Sequence, residues 1–259
     1  MLQIIGAIPY FLIFVPWYRR WMEKRFSLLW CLLFTIPILL YSITGFLLFV
    51  AFSVAILLAM KIRDERLRDV ALFFLIWLPV EFNLLPMTDL NSGKFIGYFV
   101  VLSIFSHVLL YRIRPQGLGF TIFPVKWILV GLAYLVLFTI IAPIGLKTGF
   151  IVFHPGLTTT NLLSFFAIYF FVVYPEEMLF RAFLFKILSP LSTAWKIAIS
   201  SLIFGLAHFN GPHGGVIYML LATIAGVGYA YVFEKSGDIN SSALLHTLVD
   251  YTWVLFFGG

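Results

Sequence analysis

The sequence has few charged residues and almost no cysteine. Only 11% of its 259 residues are charged, whereas 62% are hydrophobic. A soluble domain carries about 25% charged residues because its surface must face water, so a soluble fold of this length is excluded. The single cysteine, Cys31, excludes an intramolecular disulfide. Apolar runs that reach about 20 residues predict instead a polytopic membrane protein.

The basic residues are spread in short groups between the apolar runs. The net charge is +6, and the groups lie at 18–25, 61–69 and 112–126. A nucleic-acid-binding protein would need a contiguous basic face, and the sequence shows none, so we expect no nucleic-acid partner. Short basic loops are typical of the cytoplasmic side of a membrane protein. We therefore expect a multi-pass protein of the prokaryotic plasma membrane with its basic loops in the cytoplasm.

The apolar segments predict an all-α, polytopic transmembrane helical bundle of about 8–10 membrane helices. Residues 27–60 are ambiguous, because they are long for one span and short for two. A break at 41–45 would give two short helices and would put the basic loops on one side, including the loops at 186–196 and 234–238. Only Lys94, Lys147 and Arg181 would then lie elsewhere. One long tilted helix would move the N-terminus to the other side. The segments are 2–17, 27–41, 45–60, 70–87, 95–111, 127–146, 162–186, 197–209, 215–233 and 239–257.

Ionisable side chains inside the apolar segments are concentrated in the C-terminal half. The N-terminal half has only Glu81 and His107, whereas the C-terminal half has three polar groups, at 174–181, 204–208 and 246–250. An ionisable residue near the bilayer centre costs roughly 2.5–3.5 kcal/mol, so such residues usually pair and usually serve function. Three groups in three segments therefore predict an active site in the C-terminal helices.

The spacing within these groups predicts which side chains share a helix face. Glu177 and Arg181 are four residues apart, as are His246 and Asp250, so each pair lies on one face. Glu176 lies about 100° around the helix from Glu177. One carboxylate can thus be neutralised by Arg181 while the other projects into a shared cavity, where it could serve as a general base.

These residue types are compatible with three chemistries. The first is hydrolysis, in which Glu176 and His208 activate a water and His246 with Asp250 stabilises the oxyanion. The second is a zinc site with ligands from three helices, although the sequence has no HExxH motif. The third is the proton relay of a transporter. Serine catalysis is not favoured, because no serine lies in a GxSxG-like motif.

The three polar groups resemble the motifs EExxxR, FxxxH and HxxxN/D of one family. It is the CAAX-protease and bacteriocin-processing (CPBP, or Abi) family of intramembrane glutamic endopeptidases, and the resemblance covers about residues 160–255. The motifs occur here, in order, as Glu176-Glu177 with Arg181, Phe204 with His208, and His246 with Asp250.

The resemblance implies a helical membrane protease that needs no metal and no cofactor. It implies that Glu176 and His208 activate the water and that His246 and Asp250 line the oxyanion site. Asp250 replaces the Asn of the prenyl-protein branch. Because an ionised Asp cannot donate a hydrogen bond, we expect Asp250 to orient His246. The implied supporting residues are Glu177, Arg181 and Phe204.

The prediction is therefore a metal-independent endopeptidase that cleaves a membrane-associated or lipid-anchored protein or peptide. Residues 1–155 would form accessory transmembrane helices and residues 156–259 the catalytic ones. One alternative is a non-catalytic membrane immunity or scaffold protein that keeps the motifs for packing. Another is a proton-coupled transporter, although transport would favour polar, broken helices in both halves of the chain. The oligomeric state is left open.

Overall fold

The computed structural model describes residues 2–82, 84–85, 95–114, 125–156, 158–210 and 214–257. Lys94, predicted to lie outside the inner loops, is not among them. Within these ranges the chain is helical and has no strand, which confirms the all-α class. The helices are α1 (Leu2–Leu12), α2 (Pro16–Met22), α3 (Leu28–Leu39), α4 (Ile43–Met60), α5 (Glu65–Glu81), α6 (Phe95–Ile113), α7 (Trp127–Lys147), α8 (Thr159–Ile187), α9 (Thr193–Leu206), α10 (Val216–Ser236) and α11 (Ile239–Phe256).

Five helices of the described part are long and apolar enough to cross a membrane, namely α4, α6, α7, α8 and α10. Their mean hydropathy is between 1.5 and 2.6, and a helix needs about 20 residues to span the hydrocarbon core. The prediction of an integral, polytopic helical protein is thus confirmed. The break expected at 41–45 is also present, because α3 ends at Leu39 and α4 begins at Ile43. Helix α9 has only 14 residues, in agreement with the short segment expected at 197–209.

The chain divides into two compact units, Met1–Pro115 and Gln116–Gly259. The second unit therefore includes α7, which packs against α10 and α11. The functional boundary predicted near residue 155 stays a prediction, because packing alone does not assign a function to α7.

The first unit buries two polar groups between its helices. Arg112 on α6 donates from Nε to Asp69 Oδ1 at 2.6 Å and pairs with Glu65 at 3.0 Å. His107, which is fully buried, has its Nδ1 2.6 Å from the Ser103 carbonyl oxygen and its Nε2 2.9 Å from the Tyr18 hydroxyl. These contacts tie α5 and α2 to α6, so they serve packing.

Two glycines in the second unit let α9 and α10 approach closely. A Cβ atom on Gly205 would lie 2.7 Å from the Met219 carbonyl oxygen and would also collide with Thr223. A Cβ atom on Gly226 would lie 3.2 Å from the ring of Phe204. Small residues commonly permit such approaches between membrane helices. Here they bring the end of α9 against the middle of α10.

Helix α8 is continuous but contains two π-helical stretches, Ile168–Val173 and Met178–Phe183. The short α-helical turn between them, Tyr174–Glu177, carries the two adjacent glutamates. π-Helical turns are rare and frequently occur at functional sites, because they change the direction in which neighbouring side chains point. The motif of α8 therefore lies where the helix is least regular.

Candidate active site

The three motifs come together between α8, α11 and the C-terminal end of α9. Helix α8 contributes Glu176, Glu177 and Arg181, whereas α11 contributes His246 and Asp250. Phe204 is on the last turn of α9, and His208 follows in the turn after that helix.

Glu177 is completely buried and is bound by side chains of two helices. The carboxylate accepts hydrogen bonds from His246 Nδ1–H at 2.9 Å and from the Ser242 hydroxyl. Arg181 Nε lies 3.4 Å from its Oε2. A buried carboxylate is costly unless it is paired and hydrogen-bonded, and Glu177 has both kinds of partner. It is therefore fixed in place and sealed from water.

Glu176 has quite different surroundings, although it is the adjacent residue. Its side chain is 30% exposed, and its Oε2 lies 3.8 Å from His246 Nε2. In the described part of the chain, that oxygen has no hydrogen-bond partner. The expected difference between the two carboxylates is thus present. The Glu177 carboxylate is bound by its neighbours, whereas Glu176 has a buried oxygen that no described residue binds.

His246 lies at the centre of three carboxylates. Its Nδ1–H donates to Glu177, while its Nε2 faces Asp250 Oδ2 at 3.5 Å and Glu176 Oε2 at 3.8 Å. A carboxylate only accepts and an unprotonated ring nitrogen only accepts. Nε2 and the two carboxylates can therefore attract one another only if one of the three groups carries a proton. This edge of the ring is consequently a place where a proton can be held and released.

The aromatic ring of Phe204 is in contact with three motif residues. The Arg181 guanidinium lies 4.4 Å from its centroid, the His208 ring 4.5 Å and the His246 ring 5.3 Å. The nitrogens of Arg181 have no hydrogen-bond partner among the residues described, so the guanidinium is held by its charge and by the π faces of Phe204 and Tyr229. Phe204 therefore fixes the relative positions of the three motifs.

His208 has one ring nitrogen bound and the other available. Its Nδ1 lies 2.7 Å from the Phe204 carbonyl oxygen. Because a carbonyl can only accept, Nδ1 carries the proton, and the neutral ring keeps Nε2 as an acceptor. This tautomer suits a group that helps to take a proton from water.

A cavity of about 260 Å³ adjoins the cluster. Its lining includes His208, His246 and Asp250, together with apolar residues of α7, α8, α10 and α11. Glu176 is not among the lining residues, but it contacts His246, which is. The cavity is large enough for several atoms of a substrate and a water molecule.

Within the described ranges, no three side chains of His, Cys, Asp or Glu are arranged so that they could hold a metal ion. The zinc alternative would need such a group, because zinc sites use at least three protein ligands.

Three residues of the site were not predicted from the sequence. Ser242 binds Glu177, and the Tyr229 ring stacks on the His246 ring at 4.2 Å with an angle of 20° between the planes. The Tyr218 ring is perpendicular to the His208 ring at 5.0 Å. One signal was available, because Ser242 precedes His246 by four residues and so shares its helix face. Tyr218 and Tyr229 likewise share one face of α10, being about three turns apart.

One comparison with known proteins finds a match in the part of the chain that carries the three motifs. Residues 158–252 match the Rce1-like family model, which is described as "Type II CAAX prenyl endopeptidase Rce1-like". The match contains every residue of the three motifs and confirms the resemblance to CAAX-type intramembrane proteases. No curated protein and no solved structure matches the chain. The apolar helices identify an integral membrane protein, and residues 158–252 are similar to type II CAAX prenyl endopeptidases.

Proposed function

We propose that this protein is a glutamic-type intramembrane endopeptidase that needs no metal. It would hydrolyse a peptide bond of a membrane-associated protein or peptide, with the water activated by Glu176 and His208. The observation that carries the proposal is the contrast between the adjacent glutamates. Glu177 is sealed by Ser242, His246 and Arg181, whereas Glu176 is partly exposed and its Oε2 has no hydrogen-bond partner among the described residues.

Glu176 is the general base in this mechanism. A water between Glu176 and His208 donates one proton to the carboxylate while the neutral Nε2 of His208 orients it. The water oxygen then adds to the carbonyl carbon of the substrate. A positioned general base contributes typically about 10²–10⁴-fold to a rate.

The proton taken by Glu176 leaves with the product. When the tetrahedral intermediate collapses, the carbon–nitrogen bond breaks and the amide nitrogen receives this proton, so that an amine and a carboxylic acid are formed. The acid then releases its own proton to solvent and becomes a carboxylate. The nearby Nε2 edge of His246, 3.8 Å from Glu176, provides an intermediate site for the proton. The electron and proton balance of the reaction requires no co-reactant other than water.

Asp250 acts by orienting His246. Its Oδ2 lies 3.5 Å from Nε2 and its side chain is 36% exposed, so it can hold that edge of the ring toward the cavity. We expect Asp250→Asn to retain more turnover than Asp250→Ala, because the amide preserves a polar contact with the ring. Equal turnover in both variants would remove any specific role for the side chain.

The membrane environment suggests the class of substrate. The cavity is lined mostly by apolar and aromatic residues, and the family name refers to prenylated CAAX proteins. A protein or peptide that carries a lipid anchor, or a membrane-embedded end, would reach the cavity laterally. The basic loops would lie in the cytoplasm of a prokaryotic cell, following the positive-inside rule.

Peptide cleavage by the purified protein tests the proposal. The assay uses a quenched fluorescent peptide with a prenylated CAAX end and the same peptide without the prenyl group, each with and without EDTA. We expect turnover by the wild type in both EDTA conditions and none by Glu176→Gln. The matched control is Glu234→Gln, since Glu234 pairs with Lys196 and Thr193 and does not line the cavity.

Three outcomes would contradict parts of the proposal. Turnover that is lost in EDTA and restored by zinc would reject the metal-independent mechanism. Undiminished turnover by Glu176→Gln would reject Glu176 as the base. A wild-type protein that cleaves neither peptide, nor any member of a library of membrane-anchored peptides, would reject the endopeptidase activity.

A further inference from the structure

Few of the side chains that line the cavity can donate a hydrogen bond. Attack of water on a peptide carbonyl places negative charge on the carbonyl oxygen, and catalysis requires donors directed at that oxygen. His208 is an acceptor at Nε2, because Nδ1–H is used by the Phe204 carbonyl oxygen. Asp250 is an acceptor whenever it is ionised. The polar side chains of the described lining are His208, Tyr218, Tyr229, His246, Asp250 and Trp253.

Of the two phenol groups in this lining, Tyr218 is the accessible one. Tyr229 is only 1% exposed, and its ring lies flat on His246 and close to Arg181. Tyr218 is partly exposed and borders the cavity next to His208. A substrate carbonyl beside the activated water would therefore meet Tyr218 before Tyr229.

The ring of Tyr218 is held by three aromatic contacts. It is perpendicular to His208 at 5.0 Å, and its centroid is 5.4 Å from that of Phe150 and 6.2 Å from that of Trp253. Contacts between aromatic rings restrict the orientation of the ring that they surround. The phenol is thus fixed before a substrate arrives, which is what an efficient donor requires.

Among the residues that the structure describes, the hydroxyl group of Tyr218 has no hydrogen-bond partner. Asp250 and His208 line the same cavity as Tyr218. A phenol without a partner, in a cavity beside the water-activating residues, has an O–H bond available for a ligand.

We propose that Tyr218 is a catalytic residue whose hydroxyl donates a hydrogen bond to the carbonyl oxygen of the substrate as water adds to the carbonyl carbon. The inference rests on the proposed endopeptidase function. The phenol keeps its proton throughout, so no bond of Tyr218 forms or breaks. Its hydrogen bond strengthens as negative charge develops on the oxygen, and it relaxes when the carbonyl is restored.

The substitution Tyr218→Phe tests this role because it removes only the hydroxyl group and retains the aromatic contacts. We expect kcat for the prenylated CAAX peptide to fall about 100-fold, with KM changed by less than about twofold, because the bond is made chiefly in the transition state. In a Glu176→Gln background, the Kd of the uncleaved peptide should not change. The matched control is Tyr231→Phe, on the same helix and 46% exposed, which should keep wild-type kcat.

The outcomes separate this inference from the proposed function. If the wild type cleaves the peptide and Glu176→Gln does not, while Tyr218→Phe keeps kcat within about twofold, only the role of Tyr218 is rejected. A larger loss of kcat in Tyr229→Phe or Trp253→Phe than in Tyr218→Phe also rejects it. A lower thermal midpoint in Tyr218→Phe, with a weaker Kd, would show a structural residue and contradict the catalytic role. If Glu176→Gln remains active, the proposed function fails first.

Discussion

His107 in the first unit and His246 in the second are both buried on long helices, but their surroundings differ. His107 has both ring nitrogens engaged by uncharged groups, the Ser103 carbonyl and the Tyr18 hydroxyl. His246 faces three carboxylates and lines a cavity of about 260 Å³. Both ring nitrogens of His107 are thus engaged, whereas the Nε2 edge of His246 faces two carboxylates, and His246 borders the cavity.

The buried arginines of the two units show the same contrast. Arg112 donates directly to Asp69 at 2.6 Å. Arg181 is 3.4 Å from Glu177 and has no hydrogen-bond partner in the described ranges, being held against aromatic rings. A structural ion pair is usually completed by good hydrogen bonds. Arg181 is thus positioned by charge and by aromatic rings, whereas Arg112 is positioned by hydrogen bonds.

The largest expected effect separates the two histidines. His246→Asn keeps a donor at the Nδ1 position but loses Nε2, so we expect kcat to fall by about 1000-fold, within the range for acid–base groups. His107→Asn should leave kcat unchanged and lower only the thermal midpoint, because its contacts serve packing. Peptide turnover and thermal unfolding of both variants in detergent check this. A large loss of kcat in a folded His107→Asn protein would contradict the distinction.

The next effect concerns stability. Arg181→Met leaves the Glu177 carboxylate buried without its cation, and breaking such a pair costs about 3–5 kcal/mol. The double variant Glu177→Leu/Arg181→Met should recover much of the loss, because it removes the uncompensated charge as well. Arg112→Met should also destabilise the protein but keep the turnover of the folded molecules. Unfolding midpoints and turnover per folded protein measure both.

Two results would contradict the difference that we infer between Arg181 and Arg112. If Arg181→Met is as stable as the wild type, Glu177 does not depend on that cation. If Arg112→Met abolishes turnover in folded protein, the first unit takes part in catalysis and its polar contacts are more than packing.

The smallest effect tests the close approach of α9 and α10. Gly205→Ala would push a methyl group to 2.7 Å from the Met219 carbonyl oxygen, and such overpacking typically costs about 1–3 kcal/mol. Turnover should fall as well, since Phe204 would move. Gly131→Ala on α7 is the matched control, because no atom lies within 4 Å of its Cβ position. Equal midpoints for the two variants would show that the approach of α9 and α10 is not tight.

Spacing along the chain predicted the contacts within one helix but not those between helices. The pairs Glu177–Arg181 and His246–Asp250 follow from four-residue spacing, and both occur in the structure. The bond between Glu177 and His246 joins residues 69 positions apart. It depends on how closely α8, α10 and α11 pack, and a hydrophobic pattern does not encode that distance.

The π-helical form of α8 was not predicted, although Pro175, which lacks a backbone N–H, lies between the two π-helical stretches. These stretches flank the glutamates and place one in the buried cluster and the other at its edge. The break before α4 was predictable, because polar and small residues interrupt the apolar run there. The inclusion of α7 in the second unit was not, since it arises from packing against α10 and α11. The roles of the motif residues stay predictions.

The comparison of Glu176→Gln with Glu177→Gln tests the central claim most directly. Both substitutions remove one negative charge from adjacent residues, and turnover of the prenylated CAAX peptide is measured together with the unfolding midpoint. We predict that Glu176→Gln loses turnover by at least about 1000-fold at an unchanged midpoint, and that Glu177→Gln lowers the midpoint because its buried partners lose their charge. A Glu176→Gln protein that still cleaves the peptide at the wild-type rate would contradict the account.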